Sequence, residues 1–207
     1  MSSLLHVEVS PSGSSVSKSI AQDYLAAWSA AHPGGEVAHR DISGNVVPHL
    51  DIEAIMAVRT PVAEHTPSMN AKYEYRKELI AELLGADEIL ISSPMWNWSI
   101  PSALKAYFDQ VIMSGALDAS MNRGLAGKKV TFIVAHGGSY APGAPKASWD
   151  FETGYLKLVA NALGATDVQL IAAEFTLAGI SPAMSDFVDA KAASIEAARQ
   201  TARSRAA

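Results

Sequence analysis

The sequence contains no cysteine among its 207 residues. A disulfide framework, a thiolate metal site and a catalytic thiol are therefore excluded. The sequence also lacks an excess of positive charge, since 16 Lys and Arg stand against 21 Asp and Glu and give a formal net charge of -5. This charge balance argues against general binding of nucleic acid, which needs a basic face.

Long apolar runs are missing as well, and no stretch approaches the roughly 20 residues that a membrane-spanning helix needs. Residues 1–9 have neither a basic segment nor a long apolar core, so we expect no signal peptide, no membrane partner and a cytoplasmic location. The six histidines are scattered without metal-ligand spacing, and we predict no metal site. The absence of a G-x-S-x-G motif disfavours a serine hydrolase.

What is present favours a globular α/β domain spanning residues 1–207, because 49% of the residues are apolar and only 18% are charged. Strands and helices alternate along the chain, which predicts a doubly wound parallel sheet with helices on both faces. The predicted strands are 4–9, 37–42, 87–93, 128–134 and 168–175. The predicted helices are 17–31, 52–58, 69–84, one beginning at 101, 155–163 and 182–203. In such sheets, ligands bind beyond the carboxyl ends of the strands, where the strand order reverses.

The loop after the first strand is rich in hydroxyl groups: Ser10, Ser12, Ser14, Ser15 and Ser17. It leads into a helix, whose first N–H groups and positive dipole end favour a phosphate. The loop has neither G-x-G-x-x-G nor G-x-x-x-x-G-K-[ST], so a monophosphate fits better than a dinucleotide or a nucleoside triphosphate. The alternative is an ordinary N-cap at Ser17 in a serine-rich turn.

The loop after the third strand places Met95, Trp96 and Trp98 around Asn97. Large apolar groups at a strand end can form a wall for a flat aromatic ring, and an asparagine amide can bond the edge of that ring. The alternative is that both tryptophans pack in the core or in an interface.

The loop after the fourth strand, 135–140, contains Gly137 and Gly138. Glycine lets backbone N–H groups approach a ligand closely, although a plain Gly-Gly turn is the alternative. His136 and Tyr140 are candidate contacts for a cofactor or substrate, while an isolated loop histidine is more often solvated. We expect the three loops to meet in space at one edge of the sheet.

These segments carry a resemblance that spans nearly the whole chain. It rests on Ser10-Pro-Ser with Ser15-Val-Ser17, on residues 93–109, and on Gly137-Gly-Ser-Tyr140. On these motifs the chain resembles the FMN-dependent NADH:azoreductases and quinone reductases of the flavodoxin-like fold.

The resemblance implies a strand order of 2-1-3-4-5 and a tightly bound FMN. It implies a homodimer with the flavin at the interface, NADH or NADPH as the electron donor, and a quinone or azo compound as the acceptor. The implied cofactor residues are Ser10, Ser15, Val16, Ser17, Pro94, Met95, Trp96, Asn97, Trp98, Gly137 and Gly138, and we add His136 from the same loop as a candidate cofactor contact. The chain departs from the family in two places. Ala135-His136 precede the glycines, where the family commonly has an arginine or a small polar residue, and the segment 114–127, which in the family helps to shape the substrate pocket, is shorter.

The implied reaction is a two-electron, ping-pong reduction in which no side-chain acid or base is essential, with His136 and Tyr140 as candidate proton donors. Three alternatives stay open at this point. The chain could be an electron carrier, an FMN reductase that releases reduced flavin, or a flavin-binding protein without quinone or azo activity.

Overall fold

The computed structural model describes residues 2–44, 47–117 and 124–207. It contains a five-stranded parallel sheet in the order β2-β1-β3-β4-β5, which confirms the predicted order and the flavodoxin-like architecture. The strands are β1 (Ser3–Glu8), β2 (Glu36–Asp41), β3 (Glu88–Pro94), β4 (Lys129–Ala135) and β5 (Asp167–Ala173). The strand order reverses between β1 and β3, so the cleft expected of such a sheet lies there.

Helices cover both faces of the sheet, as the alternation of elements predicts. They are α1 (Val16–Ala31), α2 (Ile52–Ala57), α3 (Pro67–Gly85), α4 (Ser102–Val111), α5 (Glu152–Ala162) and α6 (Val188–Ala206). Helices α1 and α6 pack on one face, and α3, α4 and α5 pack on the other. None of the helices in the described ranges is long and apolar enough to cross a membrane.

Helix α6 begins later than the helix predicted for residues 182–203. Pro182–Phe187 forms a 3-10 turn, and the α-helix that follows buries only small residues, Ala198, Ala202 and Ala206. Alanine lets α6 approach α1 closely. The end of α6 is also held by charge, because the Arg203 guanidinium lies 2.7 Å from the Asp23 carboxylate.

Several element ends differ from the sequence prediction for identifiable reasons. Helix α1 begins one residue early because Ser15, not Ser17, is its N-cap. Helix α5 begins at Glu152 because the Asp150 carboxylate accepts the N–H groups of Glu152 and Thr153. Strand β5 ends at Ala173, since the chain turns at Phe175, where φ is +58°.

We predict that His6, on β1, makes the stability of the fold depend on pH. Its side chain is buried, and its Nε2 lies 2.9 Å from Ser92 Oγ. Burial, assisted by the nearby charges of His39 and Lys18, lowers the pKa of His6 from 6.5 to about 4, against the opposite effect of Asp41.

Because the unfolded chain binds the His6 proton at higher pH than the folded chain does, stability is lost as pH falls below 6.5. Between pH 7 and 5 we expect the wild type to lose about 2 kcal/mol more unfolding free energy than His6→Gln. Urea titrations across this range measure the difference. The exposed His49 supplies the control, since His49→Gln should keep the wild-type pH dependence.

Candidate functional site

The carboxyl ends of β1, β3, β4 and β5 open onto one cleft of about 520 Å³. The three loops singled out from the sequence meet there, which confirms that expectation. The cleft is lined by Ser10, Pro11, Ser12, Ser14, Ser15, Val16, Pro94, Met95, Trp96, Asn97, Ala135, Gly137, Thr176, Leu177 and Ile180.

The first loop delivers free N–H donors to one end of the cleft. Ser15 caps α1 by accepting the Lys18 N–H on its hydroxyl, at 3.4 Å. Within the described ranges, no acceptor takes the N–H groups of Val16 and Ser17, and no acidic residue occupies the first turn of α1. The Ser17 side chain is buried, with its hydroxyl 3.1 Å from that of Ser15. This helix start can therefore receive an anion.

The second loop is a tight turn that presents one tryptophan to the cleft. Trp96 and Ser99 exchange two backbone hydrogen bonds, of 2.9 and 3.1 Å, around Asn97 and Trp98. Both central residues have positive φ, +48° and +68°, which is uncommon for a bulky residue such as tryptophan. The loop is anchored by the Met95 N–H, which donates to the Ala135 carbonyl at 2.9 Å.

The turn sends Trp98 away from the cleft. Its carbonyl accepts the Phe151 N–H at 3.0 Å, and its ring meets the edge of Trp149 with centroids 5.5 Å apart. Trp98, Trp149 and Phe151 together form an exposed cluster that we call the aromatic rim. Thus Met95, Trp96 and Asn97 line the cleft, whereas Trp98 lies beside it.

In the third loop, the two glycines use their backbone carbonyls in hydrogen bonds but, among the described residues, not their N–H groups. The carbonyls of Gly137 and Gly138 accept from Leu177 and Phe175, at 3.1 and 2.9 Å. The N–H groups of both glycines donate to no acceptor among the residues that the structure describes. A Cβ on Gly137 would lie 2.8 Å from Leu177 Cδ1, whereas one on Gly138 would meet open space. The glycine at 137 therefore also serves the packing of Leu177.

A fourth loop also lines the cleft, and the sequence analysis missed it. Thr176, Leu177 and Ile180 follow β5, the edge strand next to β4. Like the other three, this loop leaves the carboxyl end of a parallel strand, and that signal could have identified it. Because the predicted fifth strand extends to residue 175, the prediction places the start of this loop too late along the chain.

The two candidate proton donors lie outside the cleft. His136 is buried rather than solvated, and its Nε2 lies 3.3 Å from Glu152 Oε2. Tyr140 meets the edge of the His136 ring, with centroids 5.4 Å apart, and its N–H donates to Glu174 at 2.7 Å. Burial raises the pKa of Glu152 to about 6, although His136 beside it acts in the opposite direction. Sequence reasoning did not single out Glu152.

One group of potential metal ligands comes together in the described part of the chain. Ligand atoms of His6, Glu8 and His39 lie within 4.8 Å of one another across β1 and β2. The Lys18 ammonium lies 2.5 Å from the Glu8 carboxylate, so that carboxylate already has a cation as its partner.

The shortened substrate loop predicted at 114–127 includes residues 118–123, which lie outside the described residues.

Comparison with known proteins gives a consistent assignment. A family model described as a flavodoxin-like fold matches residues 2–202. An FMN-dependent NADH:quinone oxidoreductase of Frankia alni is 44% identical over 210 residues, covering 100% of both chains. A protein of the same name from Streptomyces avermitilis is 42% identical over 209 residues, covering 100% of this chain and 96% of the relative.

The fold is also found in solved structures. The azoreductase from Bacillus anthracis str. Sterne superposes with a TM-score of 0.86 at 22% identity, covering 100% of this chain and 99% of that one. An FMN-dependent NADH-azoreductase from Bacillus anthracis str. Ames Ancestor, solved in complex with FMN, has a TM-score of 0.82 at 21% identity over 100% of both chains. At these identities the likeness concerns the fold. On the family model and the more similar relatives, the chain belongs to the FMN-dependent NADH:quinone oxidoreductase family of the flavodoxin-like fold.

Proposed function

We propose that this chain binds FMN in the cleft and uses it to reduce quinones with NADH. The observation that carries the proposal is the pairing, in one cleft, of a helix start and a Gly-Gly loop whose N–H groups meet no acceptor among the described residues. The two sets of donors suit the two ends of a flavin mononucleotide, a phosphate and the polar edge of a flat ring. Bound FMN would supply the two-electron chemistry.

The residues fit this cofactor in three groups. Ser10, Ser15, Val16 and Ser17 would hold the phosphate, with Val16 and Ser17 acting through their N–H groups. Pro94, Met95, Trp96 and Asn97 would line the ring and the ribityl chain. Gly137 and Gly138 would donate to the pyrimidine edge, where negative charge gathers when the ring is reduced. We assign no direct FMN contact to His136, because its N–H donates to Ala173 and its side chain faces Glu152.

We further propose that NADH and the acceptor use the same open side of the cleft in turn. Initial rates measured at several fixed concentrations of NADH and a benzoquinone should then give parallel double-reciprocal lines. Lines that intersect would contradict the ping-pong scheme and indicate a ternary complex. A protein that carries FMN but oxidises NADH with no quinone would contradict the proposed function itself.

Azo compounds are the second class of acceptor that we propose, because an azo bond can accept electrons in the same two-electron steps. Loss of colour of an azo dye with NADH tests this activity separately from quinone reduction. The alternatives differ in their flavin behaviour. A stable one-electron form during stepwise reduction favours an electron carrier, and loss of flavin on gel filtration favours an FMN reductase.

We also propose a homodimer that covers the aromatic rim beside the cleft. Large apolar side chains stay exposed there, with Phe151 66% and Trp98 46% accessible. Exposed apolar clusters of this kind mark interaction surfaces. Light scattering should therefore give the mass of a dimer, and Phe151→Asp should shift the protein to monomer with weaker FMN binding.

The control for the dimer is Leu84→Asp. Leu84 is also exposed, but it lies near the end of α3, at the edge of the sheet opposite the cleft. This variant should remain a dimer. A monomeric wild type, or a Phe151→Asp protein with unchanged mass, would contradict the proposed interface.

A further inference from the structure

A buried acid–base pair lies outside the cleft and has no role in the scheme above. Glu152 is the first residue of α5, with 0% of its surface accessible, and His136 has 2% accessible. Their nearest side-chain atoms, Glu152 Oε2 and His136 Nε2, are 3.3 Å apart. Within the described ranges, neither carboxylate oxygen meets a well-aligned hydrogen-bond donor. Burying polar groups without well-aligned hydrogen-bond partners costs folding free energy. We therefore expect such a pair to serve a function.

The pair lies beneath two of the loops that line the cleft. His136 directly precedes Gly137, whose N–H is free, and Ser93, which faces Glu152, directly precedes Pro94. The N–H of Phe151, next to Glu152, donates to Trp98 at the tip of the same tryptophan-bearing loop. A change of charge on the pair therefore occurs just behind the wall of the cleft.

Other polar and charged groups surround the pair. Glu174, from the end of β5, lies 3.9 Å from His136 Nδ1, but its carboxylate already accepts from Ser139 Oγ and from the N–H groups of Tyr140 and Ala141. The remaining polar and charged groups that face the pair or line the adjoining cavity are Ser93, Tyr140, Asp150, Thr153, Lys157 and Ser194. No lysine or arginine forms an ion pair with Glu152 in the described part of the chain.

We propose that the Glu152–His136 pair takes up one proton from water when the bound flavin is reduced and returns it to water when the acceptor is reduced. This inference rests on the proposed function. The hydride from NADH brings two electrons and one proton to the ring and leaves one added negative charge there. The proton on the pair offsets that charge. When the hydride passes to the quinone, the quinone takes a proton from water and the pair releases its own, so the sum is NADH, quinone and one proton giving NAD⁺ and hydroquinone.

The physical basis is electrostatic linkage between the cleft and the buried pair behind its wall. A new negative charge in the cleft stabilises the protonated state of a nearby buried carboxyl–imidazole pair. The pair is suited to this exchange near neutral pH, because burial has already raised the pKa of Glu152 to about 6. Glu152 and His136 are positioning and charge-balancing residues here, since neither touches the cleft.

The test is the pH dependence of the midpoint potential of the FMN-loaded protein, measured by spectroelectrochemistry from pH 7 to 8. For a two-electron couple each proton taken up contributes about 30 mV per pH unit. We expect the midpoint potential of the wild type to fall by about 59 mV per pH unit and that of Glu152→Gln by about 30 mV per pH unit. Glu174→Gln, which removes the other carboxylate near His136, should keep the wild-type slope.

A second measurement counts the protons directly and does not depend on Glu152→Gln alone. Reduction by NADH in weak buffer with a pH indicator should take up one proton per flavin in the wild type and none in Glu152→Gln or His136→Asn. Equal slopes and equal proton counts in loaded, NADH-reducible proteins would overturn this inference alone. A smaller slope of midpoint potential against pH in Glu174→Gln would overturn the assignment of the proton to the Glu152–His136 pair. A chain that takes up no FMN would overturn both the proposed function and this inference.

Discussion

Replacing Ser15 by aspartate is expected to weaken FMN binding at least a hundredfold while leaving the apoprotein folded. Aspartate caps helices as well as serine does, so α1 should keep its start. The new carboxylate would occupy the helix start that we assign to the phosphate. Repulsion between two unit charges about 4 Å apart near a protein surface is about 4 kcal/mol, more than the ~2.8 kcal/mol that a hundredfold change requires.

Quenching of flavin fluorescence on titration into apoprotein measures this effect. Ser15→Thr is the matched control, since it keeps a hydroxyl and adds no charge, and it should bind FMN within a few-fold of the wild type. Thermal unfolding of the three apoproteins verifies that the cap is intact. If Ser15→Asp binds FMN as tightly as the threonine variant does, the phosphate does not lie at the start of α1.

The location of the site follows from the sequence because the alternation of elements constrains the sheet so strongly. Parallel strands joined by helices must end at the same edge, so the residues just after β1, β3 and β4 have to converge. The structure accordingly brings Ser15, Met95 and Gly137 into one cleft. This convergence requires only the order and the type of the elements, which apolar runs and turn residues specify well.

The directions of individual side chains could not be obtained in the same way. Trp98 turns to the aromatic rim because two successive residues adopt positive φ, a choice set by the backbone hydrogen bonds of the turn. His136 is buried because a carboxylate sixteen residues later folds back against it. A single sequence shows His136 as an isolated loop histidine and Glu152 as an ordinary acid near a helix start. Their contact depends on how α5 packs on the sheet.

Trp28→Ala is expected to lower the unfolding free energy of the apoprotein by about 3–5 kcal/mol, the range found when a large buried aromatic side chain is removed. Trp28 lies on the buried face of α1 and is fully inaccessible. Its ring stacks on His32 with centroids 4.6 Å apart. A Cβ on Gly35 would come within 2.6 Å of the ring, so the turn after α1 closes directly over the tryptophan. The cavity left by alanine could not readily collapse.

Urea titrations at one protein concentration measure this loss, and Ile52→Ala is its control. Ile52, the first residue of α2, lies outside the aromatic rim and is 70% exposed, so its truncation should change the unfolding free energy by less than about 0.5 kcal/mol. A cost below about 1 kcal/mol for Trp28→Ala would contradict its place in the core. Trp28 lies more than three turns along α1 from the phosphate-binding end, so the folded fraction of Trp28→Ala should bind FMN with nearly wild-type affinity. Helix α1 would then stabilise the fold near its C-terminus, through Trp28, and bind the cofactor at its N-terminus.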